Sequence, residues 1–239
     1  MRLCIDIGNS RLKWGWSEKP GALIDSASAR TVHEMFSTVA RHAAPSRVLL
    51  ADVRGGEARE LLEERIRELR WPAPEALISL ERFETIRNGY RNPEALGVDR
   101  FLALVATREI RPVVVVSAGT ALTVDGMAAD GSHTGGVIMP GLKAALNALG
   151  RAAPALAGKG DPWSAALSPW GRDTGTAVGS GILYAWVGGA ERAITDIRER
   201  LGAECAVILT GGDGRLLKKC LKFEARYDEL LVLRGMTYL

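Results

Sequence analysis

The sequence predicts an α/β protein made of two similar halves, residues 1–112 and 113–239, each with a mixed β-sheet covered by helices. Two observations support this fold class. Apolar strand-like runs alternate with helix-like segments along the whole chain. The order strand, turn, strand, strand, helix, strand, helix also occurs twice, and such a duplication makes a cleft between two similar halves. A single doubly wound sheet is the alternative that periodicity alone leaves open.

The first half begins with an apolar run at 3–7 that ends in the turn Gly8-Asn9-Ser10, and 12–16 can pair back on it as a hairpin. Pro93 is typical of a first helical turn and predicts a helix over 94–110. The other predicted elements of this half are a weak strand at 22–29, helices at 32–43 and 57–70, and strands at 47–53 and 75–80.

The pattern restarts after Pro112 with a fully apolar strand at 113–116 and a Gly119-Thr120 turn. The glycines within the helical segment 174–201 favour a break in that helix. The other predicted elements are strands at 122–128, 137–139 and 206–209, helices at 142–151 and 214–221, and a last strand at 229–234.

Composition and charge are those of a soluble globular enzyme. Of the 239 residues, 47% are hydrophobic and 25% are charged. No apolar run approaches the roughly 20 residues that a membrane span needs. The formal net charge is only +3, and basic residues are interspersed with acids, as in the segment 60–70. We therefore expect neither a membrane nor a nucleic acid as a partner.

The cysteines and histidines show no metal-ligand or redox pattern. Cys4, Cys205 and Cys220 are widely spaced and odd in number, which predicts free thiols and a cytoplasmic location. The chain enters a strand-like run at once, which argues against a signal peptide. The histidines at 33, 42 and 133 share no ligand spacing. The six tryptophans are expected in the core or at an interface rather than as a stacking platform.

The first candidate site is the run Asp6-Ile7-Gly8-Asn9-Ser10 at the end of the first strand. A glycine turn lets backbone N–H groups approach phosphate oxygens, and the carboxylate can hold magnesium directly or through water. An ordinary hairpin turn has the same composition, so this run alone leaves both interpretations open.

A second glycine turn with small hydroxyl residues occupies the matching place in the second half, between Ser117 and Asp125. One such turn is common, whereas two at equivalent positions are not. The pair therefore predicts that both turns hold the phosphates of one nucleotide.

An adjacent acid and base, Asp99 and Arg100, lie just inside a predicted helix in the segment 92–100. The carboxylate can act as a general base, and the guanidinium can anchor an anionic substrate. Spacing alone favours a plainer interpretation, a surface salt bridge that contributes little.

Three further glycine-containing segments are candidates for ligand contact. The glycines of 135–142 imply close backbone approach. Thr174, after Gly171-Arg172-Asp173, can cap a helix and present N–H groups to an anion. The turn 210–213, Thr-Gly-Gly-Asp, can take the base and ribose of a nucleotide, and it is also an ordinary strand-to-helix connection.

In this order the segments resemble those of the type III pantothenate kinases, also called the Bvg accessory factor-like family, over nearly the whole chain. The most specific part is 92–100, which together with 135–142 sets this family apart from sugar kinases of the same fold. The resemblance implies a duplicated actin-like ATPase fold of the ribonuclease H-like class, with two domains and an interdomain cleft. It also implies ATP-dependent phosphorylation of pantothenate, the first step of coenzyme A synthesis.

The resemblance implies roles for individual residues as well. Asp99 would take the proton of the substrate hydroxyl, and Asp6 would organise magnesium. Asp125 is a candidate ligand for the monovalent cation, potassium or ammonium, that the family tends to require. The implied pantothenate-binding residues are Tyr90, Gly97, Val98, Arg100 and Thr174, with Arg100 pairing the substrate carboxylate. The implied ATP- and phosphate-binding residues are Asp6, Gly8, Asn9, Ser10, Lys13, Gly119, Thr120, Thr123, Gly211 and Gly212.

The family is dimeric, with the active site close to the subunit interface, so the resemblance implies a homodimer. The chain departs from the family pattern at Ser117, where an aspartate is usual, and at Asp173, where an asparagine is expected. A hydroxyl is a weaker metal ligand than a carboxylate. Ser117 therefore motivates one alternative, a catalytically weakened regulator or nucleotide-binding accessory protein. Another enzyme on the same fold, such as a kinase for a different small hydroxy acid or a polyphosphate hydrolase, is the other.

Overall fold

The computed structural model describes residues 1–239, which divide into two compact units. Unit 1 contains residues 1–109, 130–133 and 230–239, and unit 2 contains residues 110–129 and 134–229. The predicted division between 112 and 113 assigned the two short segments 130–133 and 230–239 to the second half, whereas their contacts group them with the first. None of the helices is both long enough and apolar enough to cross a lipid bilayer.

Unit 1 is built on a five-stranded mixed sheet. Its strands are β1 (Arg2–Ile7), β2 (Leu12–Ser17), β3 (Asp25–Ala29), β4 (Arg47–Asp52) and β5 (Pro74–Ala76). Their order is β3-β2-β1-β4-β5, with β2 antiparallel to β1 and β3, and β4 parallel to β1 and β5.

Helices cover both faces of this sheet. They are α1 (Val32–Val39), α2 (Glu57–Glu68), α3 (Val98–Ala106) and, at the end of the chain, α7 (Leu231–Met236). Side chains along β1 alternate between the two faces. Leu3, Ile5 and Ile7 pack in one cluster with residues of α1 and α2, and Cys4 packs in another with residues of α3 and α7. Asp6 alternates with Ile5 and Ile7, so it lies on the face that α3 covers.

The connection from β5 to α3 contains a small hairpin and a single 3₁₀ turn. The hairpin consists of β6 (Arg82–Phe83) and β7 (Ile86–Arg87), and the 3₁₀ turn spans Pro93–Ala95. The predicted helix over 94–110 is therefore too long. Leu96 and Gly97 have extended ψ angles of 129° and 131°, so the α-helix begins only at Val98.

Unit 2 repeats the architecture of unit 1. Its strands are β8 (Val113–Ala118), β9 (Ala121–Met127), β10 (His133–Pro140), β11 (Ala206–Thr210) and β12 (Arg226–Tyr227). Its helices are α4 (Leu142–Ala152), α5 (Thr174–Leu201) and α6 (Gly214–Cys220), with a 3₁₀ turn at Pro154–Leu156. The sheet order is β10-β9-β8-β11-β12, in which β8 is antiparallel to β9 and parallel to β11.

The two sheets have the same topology, which confirms the predicted duplication. In each, the first strand lies at the centre, the second and third follow as antiparallel neighbours on one side, and the fourth and fifth lie on the other. Each first strand is followed by a glycine turn, at Gly8 and at Gly119.

Two predicted elements are wrong. The glycines do not break α5, which is continuous over 28 residues because an apolar stripe that includes Leu183, Trp186 and Val187 packs in the core of unit 2. The predicted last strand at 229–234 is helix α7 instead. Leu231 and Leu233 alternate as in a strand, but α7 packs on α3, with Gly235 against the carbonyl of Leu102.

Candidate active site

Asp6 lies near the carboxyl end of β1, beside two other acids of unit 1. Burial is the main cause that raises the pKa of Asp6 to about 7. The negative charge of Asp99 raises this pKa further, the positive charge of Lys13 opposes the rise, and Asp52 adds to it. Asp6 and Asp99, which are far apart in the sequence and were both predicted to be functional, are therefore neighbours in unit 1.

These acids suit a magnesium ion that arrives with a phosphate. No set of three or more His, Cys, Asp or Glu side chains in the chain is close enough to share a metal ion. Mg²⁺ commonly takes only one or two carboxylates, because water and phosphate oxygens complete its shell. A cation beside Asp6 would also offset the burial and repulsion that raise the pKa of this carboxyl group. The residues present therefore fit Mg²⁺ bound through Asp6, and they do not form a cage of protein ligands.

The first glycine turn joins β1 to β2. Gly8 donates its N–H to the carbonyl oxygen of Arg11 at 3.0 Å, and Asn9 and Ser10 are exposed at the tip of the turn. Lys13 lies directly opposite Asp6 in the antiparallel register. One hairpin thus carries every phosphate-binding residue that was predicted for the first half.

Asp99 lies in the first turn of α3, with its carboxylate held in place by backbone. Its Oδ1 accepts a hydrogen bond from the N–H of Arg100 at 2.8 Å. A Cβ atom on Gly97 would lie only 2.7 Å from the same oxygen, so the residue before the helix must be small for the carboxylate to occupy this position. The neighbouring residue Val98 is buried and packs in the core with α7. Asp99 itself is half-buried and lies where a helix N-terminus favours negative charge.

Arg100 is almost fully buried and is bonded to Tyr90. Its Nη1 donates to the Tyr90 hydroxyl at 2.7 Å, and its guanidinium carbon lies 5.4 Å from the centre of the Tyr90 ring. Only 5% of Arg100 is exposed, so it is not the exposed salt bridge that spacing alone favoured. The structure therefore brings two of the residues predicted to bind substrate into direct contact.

Tyr90 is held in turn by His133, which no sequence pattern selects. The two rings are stacked, with centroids 5.9 Å apart and planes at 16°, and Gly89 donates its N–H to His133 Nδ1 at 3.4 Å. His133 is buried, at 3% exposed. Its loop is attached to β7 by Arg87, whose Nη2 donates to the Ser132 hydroxyl at 2.7 Å. A lone histidine without ligand spacing carries no signal, so only the contact between distant segments reveals it.

The second glycine turn, between β8 and β9, is fixed by its own backbone and by the start of α4. Gly119 donates its N–H to the carbonyl oxygen of Ala121 at 3.0 Å. Gly141 donates its N–H to the carbonyl oxygen of Thr120 at 3.1 Å. Thr120 is exposed at the tip, as Asn9 is in unit 1. The turn therefore presents backbone and a hydroxyl group, with no acid at its tip.

Ser117, Thr123 and Asp125 lie on the two strands that this turn connects. Ser117 on β8 is opposite Thr123 on β9 in the register. Thr123 is 8% exposed and Asp125 is 2% exposed, and Gly136 on β10 packs against the Asp125 carboxylate. Asp125 is thus a buried carboxylate, and its role as a cation ligand stays a prediction.

The Thr210–Asp213 turn packs against the end of β8. Gly211 has a φ of +88° and lies so close to the backbone of Ala118 that a side chain would collide there. Asp213 donates its N–H to the Ala118 carbonyl oxygen at 3.0 Å, and the Tyr227 hydroxyl donates to the carbonyl oxygen of Gly211 at 3.0 Å. Gly212 is exposed and has open space on its Cβ side. The two turns of unit 2 thus form one glycine-lined surface at the carboxyl ends of β8 and β11.

Thr174 lies in the first turn of α5 but does not cap it, so that prediction is wrong. Asp173 is the N-cap residue: its Oδ1 accepts the N–H of Thr176 at 2.9 Å, and hydrogen bonds from the Thr176 backbone and hydroxyl lower the pKa of this carboxyl group. Thr174 is exposed and borders a mostly apolar cavity of about 930 Å³ within unit 2. The cavity is lined by residues of α4, β10 and α5, among them Met139, Leu149 and Ile182.

Comparison with known proteins shows the family to which the chain is related. The family described as type III pantothenate kinase matches residues 2–196 of the chain. A type III pantothenate kinase from Thiobacillus denitrificans is 35% identical to the chain, over 98% of the chain and 94% of its own length. Another, from Nitrosococcus oceani, is 34% identical over 99% of the chain and 92% of its own length.

Solved structures are similar over the whole chain. A Baf family protein from Campylobacter jejuni has a TM-score of 0.62 at 23% identity, covering 99% of this chain and 96% of its own. MreB 5 of Spiroplasma citri has a TM-score of 0.51 at 11% identity, covering 99% of this chain and 95% of its own. At these identities the similarity concerns the fold.

Two sheets of one topology, each with a glycine turn after its central strand, give the chain the actin-like ATPase fold. Within that class, it belongs to the type III pantothenate kinase family.

Proposed function

We propose that this chain is a pantothenate kinase, which transfers the terminal phosphoryl group of ATP to the terminal hydroxyl of pantothenate in the first step of coenzyme A synthesis. Membership of the family supports the activity. One observation supports the chemistry: Asp99, in the first turn of α3, has one carboxylate oxygen fixed by the Arg100 N–H and lies beside Asp6. Phosphoryl transfer needs positioning and charge neutralisation more than covalent catalysis, so one base and a cation-binding acid suffice in this unit.

In this proposal Asp99 accepts the proton of the substrate hydroxyl as its oxygen attacks the phosphorus atom. The hydrogen bond from the Arg100 N–H to Oδ1 fixes the orientation of the carboxylate that receives this proton. Gly97 provides the space that the carboxylate needs.

Arg100 and Tyr90 are proposed to bind the pantothenate carboxylate together. The Tyr90 hydroxyl takes one N–H of the guanidinium, which holds the remaining donors in a fixed direction. Val98 and Thr174 complete the proposed substrate-binding set. Val98 acts through the packing of α3, and Thr174 through its exposed hydroxyl.

Phosphates of ATP are proposed to bind at both glycine turns. The proposed phosphate-binding residues are Gly8, Asn9, Ser10, Lys13, Gly119, Thr120 and Thr123, and the nucleoside is assigned to Gly211 and Gly212. Asp6 is proposed to hold Mg²⁺, which when bound neutralises charge on the transferred phosphoryl group. Asp125 is proposed to hold potassium or ammonium, because it is a buried carboxylate.

A homodimer and a cytoplasmic location are also part of the proposal. Unit 2 exposes large apolar side chains, among them Ile138 on β10 at 62% and Tyr184 on α5 at 52%. Exposed apolar surface of this kind is what a protein interface covers where the side chains are contiguous. The three cysteines are free thiols, in keeping with a reducing compartment.

The test is ADP release by the purified protein with ATP, Mg²⁺ and potassium or ammonium, with and without pantothenate. Asp99→Asn should lower kcat by about 10²- to 10⁴-fold while ADP binding is retained, because only proton transfer is lost. Glu94→Gln, an exposed acid in the same segment, is the matched control and should retain wild-type activity.

Three outcomes would contradict the proposal. Activity of Asp99→Asn within tenfold of wild type would remove the base assignment. Phosphate release without an acceptor would indicate a hydrolase. A monomer mass by light scattering of the active enzyme would rule out the dimer.

A further inference from the structure

The segment between the 3₁₀ turn at Pro154–Leu156 and α5 carries two tryptophans that are not in the core. Trp163 is 41% exposed and Trp170 is 80% exposed, whereas Trp14, Trp16 and Trp186 are buried. Of the two expected places for the tryptophans, the core or an interface, these three lie in the core, whereas Trp163 and Trp170 do not. A large exposed indole is costly to hold in one orientation unless it has a partner.

Trp163 has such a partner in the Thr210–Asp213 turn. Its indole Nε1–H donates to Asp213 Oδ1 at 2.9 Å. Its backbone N–H donates to Asp161 Oδ1 at 3.0 Å, which fixes the main chain beside the ring. One edge of the indole is thus held at the turn, while part of its surface stays in contact with solvent.

The segment that carries Trp163 is itself packed on α5. A Cβ atom on Gly160 would lie 2.7 Å from the backbone nitrogen of Gly179, and one on Gly179 would lie 3.1 Å from the nitrogen of Asp161. A side chain at Gly160 would collide with α5, and one at Gly179 would force the Asp161 backbone to shift by a few tenths of an ångström. The orientation of Trp163 is therefore set by the fold on both sides, at α5 and at the Thr210–Asp213 turn.

The indole borders the glycine-lined surface of unit 2. Asp213, which accepts the indole N–H, donates its own N–H to the carbonyl oxygen of Ala118, the residue before Gly119. Next to Asp213, Gly212 is exposed with open space on its Cβ side. Two hydrogen bonds, from the Trp163 indole to Asp213 and from Asp213 to Ala118, thus link the indole to the turn at Gly119, which is proposed to hold phosphates.

We propose that Trp163 forms one wall of the nucleobase subsite and stacks on the purine of the bound nucleotide. The inference rests on the ATP-binding part of the proposed function and adds a residue from outside every motif. Every base has a π-face, so stacking contributes affinity without reading the edge of the base. Stacking on Trp163 should therefore discriminate only weakly between ATP and GTP. Loss of Trp163 should lower the affinity for both nucleotides to a similar extent.

The experiment compares Trp163→Ala, Trp163→Phe and the matched control Trp170→Ala in the full-length protein. Trp163→Ala should raise KM for ATP and the dissociation constant of ADP by about tenfold, with kcat and KM for pantothenate within twofold of wild type. Trp163→Phe keeps an aromatic face and loses only the N–H, so it should recover most of the affinity. Trp170→Ala, from the same segment, should bind ADP as wild type does.

Fluorescence provides a readout that a merely structural role would not produce. ADP should quench the intrinsic tryptophan emission of the wild type, and the quenching should disappear in Trp163→Phe, which retains the other five tryptophans. ADP affinity of Trp163→Ala equal to wild type, with quenching retained in Trp163→Phe, would overturn the inference.

The two proposals can fail separately. ADP binding does not require turnover, so the subsite is tested even if no pantothenate-dependent ADP release is found. Turnover that depends on pantothenate, together with unchanged ADP affinity in Trp163→Ala, would retain the kinase and remove only the stacking wall.

Discussion

The two glycine turns occupy the same place in two sheets of the same topology, yet their surroundings differ in charge. In unit 1 the last two residues of the central strand are Asp6 and Ile7, and Asp52 is the parallel neighbour of Ile7. In unit 2 the corresponding pair is Ser117 and Ala118, and Gly211 follows the residue that pairs with Ser117. At matched positions, therefore, unit 1 has two acids where unit 2 has a hydroxyl and a glycine.

The difference indicates a division of labour between the two copies. In unit 1, burial and neighbouring acids raise the pKa of Asp6 to about 7, an environment that a cation relieves. In unit 2, two turns pack backbone to backbone, and the exposed residues Thr120 and Gly212 lie at their tips. The first arrangement suits metal binding and proton transfer, and the second suits contact with phosphates and a nucleoside.

Removing the acid of unit 1 should have the largest effect. Asp6→Asn should lower kcat/KM by about 100-fold or more at saturating Mg²⁺, because an amide cannot offset the charge of the cation. Asp52→Asn is the matched control. Its side chain can still accept the N–H groups of Arg54 and Gly55, which Asp52 Oδ1 accepts at 2.9 Å and 2.8 Å, so its activity should fall far less.

Asp6→Asn should also change how stability depends on pH in the absence of Mg²⁺. The pKa of Asp6 is about 7 in the folded chain against an ordinary value of 3.8, so the folded state holds this proton more tightly. Wild-type stability should therefore fall as pH rises from 3.8 to 7, and the variant should lack this loss. Thermal unfolding in EDTA at pH 5 and pH 8 measures it, with a Tm for the variant a few degrees above wild type at pH 8. An equal change in Tm between pH 5 and pH 8 in the two proteins would contradict the assignment of the raised pKa to Asp6.

Adding a side chain to the second copy should mainly affect stability. Gly211→Ala places a methyl group against the Ala118 backbone at a φ of +88°, and we expect a loss of about 1–3 kcal/mol. Gly212→Ala is the matched control, since it has open space, and it should change stability by less than about 0.5 kcal/mol. Urea unfolding of both variants measures the two changes in the free energy of unfolding. Equal losses would mean that the contact with Ala118 does not determine the shape of the turn.

Restoring an acid to the second copy should have the smallest effect. Ser117→Asp should lower the Mg²⁺ concentration for half-maximal activity severalfold, with less than a tenfold change in kcat, because a carboxylate offsets cation charge and a hydroxyl does not. Ser117→Asn introduces a neutral side chain of nearly the same size as aspartate, so this variant should behave like wild type in the same Mg²⁺ titration. An unchanged magnesium requirement in Ser117→Asp would show that Ser117 does not face the metal.

The parts of the site that the sequence predicts are those that depend on local chain geometry. A strand followed by a glycine turn is encoded within a few residues, so the hairpins at Gly8 and Gly119 and their repetition were predictable. The same is true of Asp99 and Arg100 near a helix start. The break before Val98, the continuity of α5 and the helical state of 231–236 were not predictable, because packing against other elements outweighs local propensity there.

The sequence by itself determined the duplication and the two glycine turns, and the resemblance to the family selected Asp6 and Asp99 as candidate functional acids. Only the tertiary structure decided that Asp52 adds its charge to theirs, that His133 stacks on Tyr90, and that Trp163 is bonded to Asp213. The physical reason is the separation along the chain over which each interaction acts. Turn chemistry and strand alternation act between residues close in the chain, whereas burial, repulsion between carboxylates and ring stacking depend on which distant segments the sheets bring together.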